Sequence, residues 1–78
     1  MRREYSKQSA KAISRMDSTN KKRIHQGIQN IPNGDIRPFK SSPGSYRLRV
    51  GNWRIIFSYP DYNTILIEEI GLRGQIYK

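Results

Sequence analysis

Arg47, Arg49 and Arg54 lie within eight residues of one another around the pair Gly51-Asn52, and they are the residues here whose type and spacing best suit chemistry. A planar guanidinium binds two oxygens of a phosphate at once, so grouped arginines point to a polyanion. Arg37 and Lys40 upstream and Arg73 downstream lengthen the same positive patch. The lone His25 sits beside Lys21 to Arg23 in a helical pattern and reads as a helix-surface residue. Glu68 and Glu69 are neighbours in an extended run, where alternation sends them to opposite faces and excludes a paired-carboxylate site built from those two. Neither a phosphate-cradling loop nor an HExxH metal signature occurs, and Gly71-Leu72-Arg73-Gly74 is too short for a nucleotide-binding loop.

The elements that position the arginines follow from periodicity. Tyr46, Leu48 and Val50 alternate with Arg47 and Arg49, and Trp53, Ile55 and Phe57 alternate with Arg54, Ile56 and Ser58. These are strands, and Gly51-Asn52 between them is a two-residue hairpin turn of the primed types, in which both residues accept positive φ. That turn sets Val50 against Trp53, Arg49 against Arg54, Leu48 against Ile55, Arg47 against Ile56 and Tyr46 against Phe57. One face is then apolar and the other carries three arginines. Like charges directly opposite cost roughly 0.2 to 1 kcal/mol, a cost that a bound polyanion would remove. The competing reading is a solvated face whose arginine stems cover apolar surface.

Upstream, Ser6 can cap a helix over about residues 7 to 16, with Ala10, Ile13 and Met16 on its apolar side. Asp17-Ser18-Thr19 offers new caps, and Ile24, Ile28 and Ile31 recur at helical spacing until Pro32-Asn33-Gly34 ends the run. A short strand at residues 2 to 5, an extended segment over 35 to 40 and a final strand from Thr64 to Ile70 after the turn-like Pro60-Asp61-Tyr62-Asn63 complete the pattern. The expected fold is α+β: an N-terminal helical hairpin packed on a small twisted antiparallel sheet. Trp53, Tyr46 and Phe57 fall on the apolar face and are read as core. Tyr77, one residue from the end of the chain, is read from pattern alone as an anchor for the tail.

Composition narrows the classes. The 78 residues carry 15 Lys or Arg against 6 Asp or Glu, a net charge of +9, and no cysteine. Residues 36 to 60 contain five bases and no acid. A field of that sign attracts nucleic acid or an acidic protein. The length suits one domain, residues 1 to 78, and leaves no room for a two-domain enzyme. Without cysteine there is no disulfide, CxxC centre or thiolate metal site, and one histidine cannot build a metal cage, so neither metal nor cofactor is expected. The longest apolar runs are three residues, too short for a membrane span or signal peptide, and a cytoplasmic protein is expected.

The run Tyr46-Arg47-Leu48-Arg49-Val50-Gly51-Asn52-Trp53-Arg54-Ile55-Ile56-Phe57 and the ending Glu69-Ile70-Gly71-Leu72-Arg73-Gly74-Gln75-Ile76-Tyr77 resemble the hairpin and C-terminal motifs of the RelE/ParE superfamily of toxins. Tyr5-Ser6-Lys7-Gln8-Ser9-Ala10-Lys11 is similar to the strand-to-helix entry of that family, and the resemblance spans essentially the whole chain. It implies the RelE-like fold and a type II toxin-antitoxin module with a cognate antitoxin as partner. For the RelE-like branch it implies a ribosome-dependent endoribonuclease that cuts mRNA in the A site by metal-independent attack of the 2′-hydroxyl. The ParE-like branch, whose members poison DNA gyrase, is the alternative, as is a non-catalytic RNA- or ribosome-binding protein. Carried over by position, the family's catalytic residues fall on Arg47, Arg49, Arg54, Arg73 and Tyr77, with Arg37 and Lys40 joining Arg47 and Arg49 in RNA binding. RelE itself has lysines where this chain has Arg47 and Arg49, and an arginine is a poor general base.

Overall fold

A computed structural model describes residues 1–72. Ser6 caps the first helix, α1 (Lys7–Ser14), its hydroxyl accepting from the Ser9 N–H at 3.1 Å. The helix ends two residues before the expected position, because Arg15 and Met16 turn back onto Ala12 and Ile13 carbonyls in a tightened last turn. Of the three candidate caps that follow, Asp17 is the one used. Its carboxylate accepts from the Asn20 N–H at 3.0 Å and opens α2 (Ser18–Asn30). At the other end of α2, Arg3 donates to the carbonyls of Ile28 at 3.1 Å and Gln29 at 3.0 Å, a cation placed at the negative end of the helix dipole.

The strands are β1 (Arg2–Tyr5), β2 (Asp35–Pro38), β3 (Ser45–Val50), β4 (Trp53–Asp61) and β5 (Thr64–Leu72). They form one sheet in the order β1-β5-β4-β3-β2. Strands β2 to β5 pair antiparallel, as expected, while β1 joins the far edge parallel to β5, with Tyr5 opposite Ile67. The β3–β4 hairpin has the expected register throughout, extended by Ser45 opposite Ser58. Gly51 supplies the positive φ, +60°, that its turn requires. Strand β4 runs on through Pro60 to Asp61, so the turn into β5 narrows to Tyr62-Asn63, where Asp61 accepts from the Asn63 N–H at 2.8 Å.

Both helices cover one face of the sheet. Ile24, Ile28 and Ile31 from the helical half meet Leu48, Ile55, Phe57, Ile65, Ile67 and Ile70 from the strands in a single core. Phe57 is fully buried, while Tyr46 and Trp53 pack half-buried at its margin, as their place on the apolar face foretells. Tyr46 stacks on Phe57 with ring centroids 5.6 Å apart. Beyond Tyr5, side chains take over the pairing along the edge of β5. Ser6 donates to the Glu68 carbonyl, and Gln8 both donates to the Ile70 carbonyl and accepts from its N–H, each at 2.9 Å. The sheet edge is thereby covered and α1 is held against it. Among the described residues no helix is long and apolar enough to cross a membrane.

Candidate active site

The face of the sheet turned away from the helices carries the arginines. Arg37 on β2 lies opposite Arg47 on β3, and Arg49 on β3 lies opposite Arg54 on β4. The β3–β4 hairpin and the β2–β3 pairing together bring in four of the positions singled out from sequence, with Lys40 exposed in the loop that follows β2. Arg73 and Tyr77 lie outside the described residues, Arg73 directly after the end of β5.

The four guanidinium groups occupy different environments. Arg37 and Arg49 are exposed, Arg47 is half-buried, and Arg54 is only 4% exposed. Arginine is rarely buried this deeply, since a charged group loses its hydration when it leaves water. In such a place its attraction for an incoming anion is screened far less than at the surface. The cost of setting Arg49 against Arg54 is eased from the third strand. Asp35, opposite Arg49, places its two carboxylate oxygens 3.8 Å from Arg49 Nε and 3.8 Å from Arg37 Nε. Both pairs are solvent-exposed and contribute little to stability. One carboxylate thereby sits between the two exposed guanidiniums.

Sequence alternation fails at one point on this face. Ile56 pairs with Glu69 but Phe57 pairs with Ile67, so β5 bulges at Glu68. The extra residue turns Glu68 to the arginine side, where its carboxylate accepts from Ser45 Oγ at 3.0 Å and Ser58 Oγ at 2.6 Å. Glu69, opposite Ile56, belongs to the same side, so the two carboxylates share a face instead of being separated by it. The separation expected from a period of two is thus corrected by the bulge. Each oxygen of Glu68 is already engaged by a hydroxyl, which makes it a brace between β3, β4 and β5. Ser45 and Ser58 were not singled out from sequence, and Glu68 was read there only as one of two separated carboxylates; no local signal marks their meeting, because the bulge that joins them arises from strand pairing.

No protein-family model and no curated protein sequence matches the chain. Solved structures do. The RelB-RelE antitoxin-toxin complex from Methanococcus jannaschii superposes with a TM-score of 0.75 at 27% identity, over 95% of this chain and 94% of that one. YafQ from E. coli strain BL21(DE3) does so with a TM-score of 0.69 at 25% identity over the full length of both chains. The archaeal RelE-RelB complex from Pyrococcus horikoshii OT3, at 22% identity and a TM-score of 0.73 over 95% of this chain and 96% of that one, shares the fold. The architecture is that of these RelE and YafQ structures: the chain has a RelE-like toxin fold, in keeping with the resemblance of its hairpin run to the RelE/ParE superfamily.

Proposed function

We propose that the chain is the toxin of a type II toxin-antitoxin pair and an endoribonuclease that cuts mRNA in the ribosomal A site, acting in the cytoplasm. The observation that carries this reading is the nearly buried Arg54 set directly across from Arg49, beside Arg47, on the face of a RelE-like sheet turned away from the helices. In the reaction the 2′-hydroxyl oxygen attacks the adjacent phosphorus in line. The bond to the 5′-oxygen breaks, leaving a 2′,3′-cyclic phosphate and a free 5′-hydroxyl once the 2′-hydroxyl proton has been given up and the leaving oxygen protonated. Charge grows on the non-bridging phosphoryl oxygens, and fixed guanidiniums at that place favour the transition state over the ground state.

Arg54 and Arg73 take that role, while Arg47 and Arg49 orient the RNA backbone and ease proton transfer electrostatically. A guanidinium stays protonated at neutral pH, so the base that accepts the 2′-hydroxyl proton comes from the ribosome or the substrate. Tyr77 stacks on the scissile nucleotide, and Arg37 and Lys40 extend the RNA track. Nothing in this chemistry calls for a metal or cofactor. Two of the similar structures are complexes with an antitoxin. A cognate antitoxin with an acidic stretch suits the +9 surface of this chain.

The test is primer extension on a defined message in a reconstituted translation system, beside the same message without ribosomes. Cuts in phase with codons only where ribosomes are present, and their loss in Arg54→Gln and Arg73→Ala, are expected. An intact message in both tubes would refute the nuclease reading and favour a binding toxin.

A further inference from the structure

Beside the arginine face lies a cavity of about 460 Å³ bounded by Arg37, Pro38, Phe39, Lys40, Ser41 and Arg47. Its composition is unusual for a surface hollow: a proline and an aromatic ring among three cationic side chains and one hydroxyl. The loop forming it is held by backbone hydrogen bonds. The Phe39 N–H donates to the Ser45 carbonyl at 2.9 Å, Ser42 N–H to Phe39 at 3.1 Å and Ser45 N–H to Ser42 at 3.0 Å. The hydroxyl of Ser42 lies 3.3 Å from that of Ser45, which in turn donates to Glu68, so the loop is tied through β3 to β5. A wall fixed in this way loses little freedom when a ligand enters.

We propose that this cavity is a nucleotide subsite, taking the base of a nucleotide that neighbours the reacting phosphate. The base lies against Pro38 and Phe39, and its phosphate is held by Arg37, Arg47 and Lys40. Flat π-faces stack on aromatic side chains whatever the base, and cations beside the ring receive the phosphate. An acidic peptide would satisfy the cations yet leave the flat apolar wall without a matching surface. Arg47 belongs both to the cavity and to the strand that carries Arg49. With strands about 5 Å apart, Arg37 stands roughly 10 Å from β4, a distance spanned by one or two nucleotides. The place of the subsite in a cleavage reaction rests on the function proposed above; the binding itself does not.

The experiment is an amide NMR titration of the purified chain with 5′-AMP, with ribose 5-phosphate and with a short poly-glutamate peptide. Expected are shifts at Phe39, Lys40 and Ser41 that saturate with 5′-AMP at about tenfold lower concentration than with ribose 5-phosphate. Phe39→Leu, which keeps an apolar side chain of similar bulk, should remove that advantage, whereas Arg37→Gln on the exposed strand edge should weaken both ligands alike. Equal binding of 5′-AMP and ribose 5-phosphate, shifts confined to other parts of the chain, or tighter binding of poly-glutamate at the same amides would each overturn the proposal. An uncut message together with 5′-AMP seated at Phe39 would support the subsite while sinking the nuclease reading, so the two fail separately.

Discussion

Gly27 sits in the middle of α2, a position where alanine is ordinarily the better residue by about 0.8 to 1.0 kcal/mol. Here the helix crosses β3 too closely for that gain to be realised. A Cβ built on Gly27 would lie 2.7 Å from Val50 Cγ2 and 3.7 Å from Leu48 Cδ2. Carbon atoms rest at about 3.5 to 4.0 Å, so the overlap with Val50 approaches 1 Å. Valine in a strand is stiff at χ1 and cannot swing its methyl aside, and overpacking of this kind costs about 1 to 3 kcal/mol. Clash outweighs propensity, and Gly27→Ala should destabilise the chain by about 1 kcal/mol, lowering Tm by roughly 4 to 8 °C. The Val50→Ala background removes the obstructing methyl, so there the same substitution should stabilise by about 1 kcal/mol. Urea denaturation of the four proteins of the cycle, followed by circular dichroism, measures the coupling. A Gly27→Ala variant more stable than its parent while Val50 is in place would refute the reasoning. The clearance bears on the site, because Val50 ends the strand that carries Arg47 and Arg49.

Burial holds the Tyr5 hydroxyl above the usual phenol range, against the opposing pull of the Arg3 charge. The folded chain thus disfavours the phenolate, and the stability that this contributes is complete below about pH 10 and lost as pH rises through the folded-state value. Tyr5→Phe should flatten the alkaline decline seen in urea titrations, and an unchanged slope would count against it. Arg49→Gln on the open face should make the dependence of single-stranded RNA affinity on salt shallower by about 0.7 in the logarithmic slope, whereas Arg2→Gln, on the edge strand where Arg2 pairs with Glu4 at 2.9 Å, should leave it unchanged. Fluorescence anisotropy across a salt series reads both, and equal slopes for the two variants would show that the arginine face does not meet the RNA.

Local chemistry alone determined much of this protein. Ser6 and Asp17 cap their helices because a short polar side chain can reach back to an N–H two or three residues on. Gly51-Asn52 dictates the β3–β4 register, and with it the placing of Arg47, Arg49 and Arg54 on one face, because a primed two-residue turn permits a single alignment of the strands it joins. What no stretch of residues could declare are the features made by partners far apart in the chain. Strand β1 is expected from sequence at residues 2 to 5, but its partner and parallel direction are not, because its mate is the edge of β5, 62 residues away. The shared placing of Glu68 and Glu69 depends on a bulge that appears only when β5 is laid against β4, and Arg54 becomes a central-strand residue only when β3 and β5 flank β4. Asp35 meets Arg49, and the loop at Phe39 meets Arg47, across a strand boundary that periodicity does not encode. Turn and cap geometry act within a few residues and are legible there, whereas burial, bulges and cavities come from the tertiary packing of surfaces that meet only once the chain has folded.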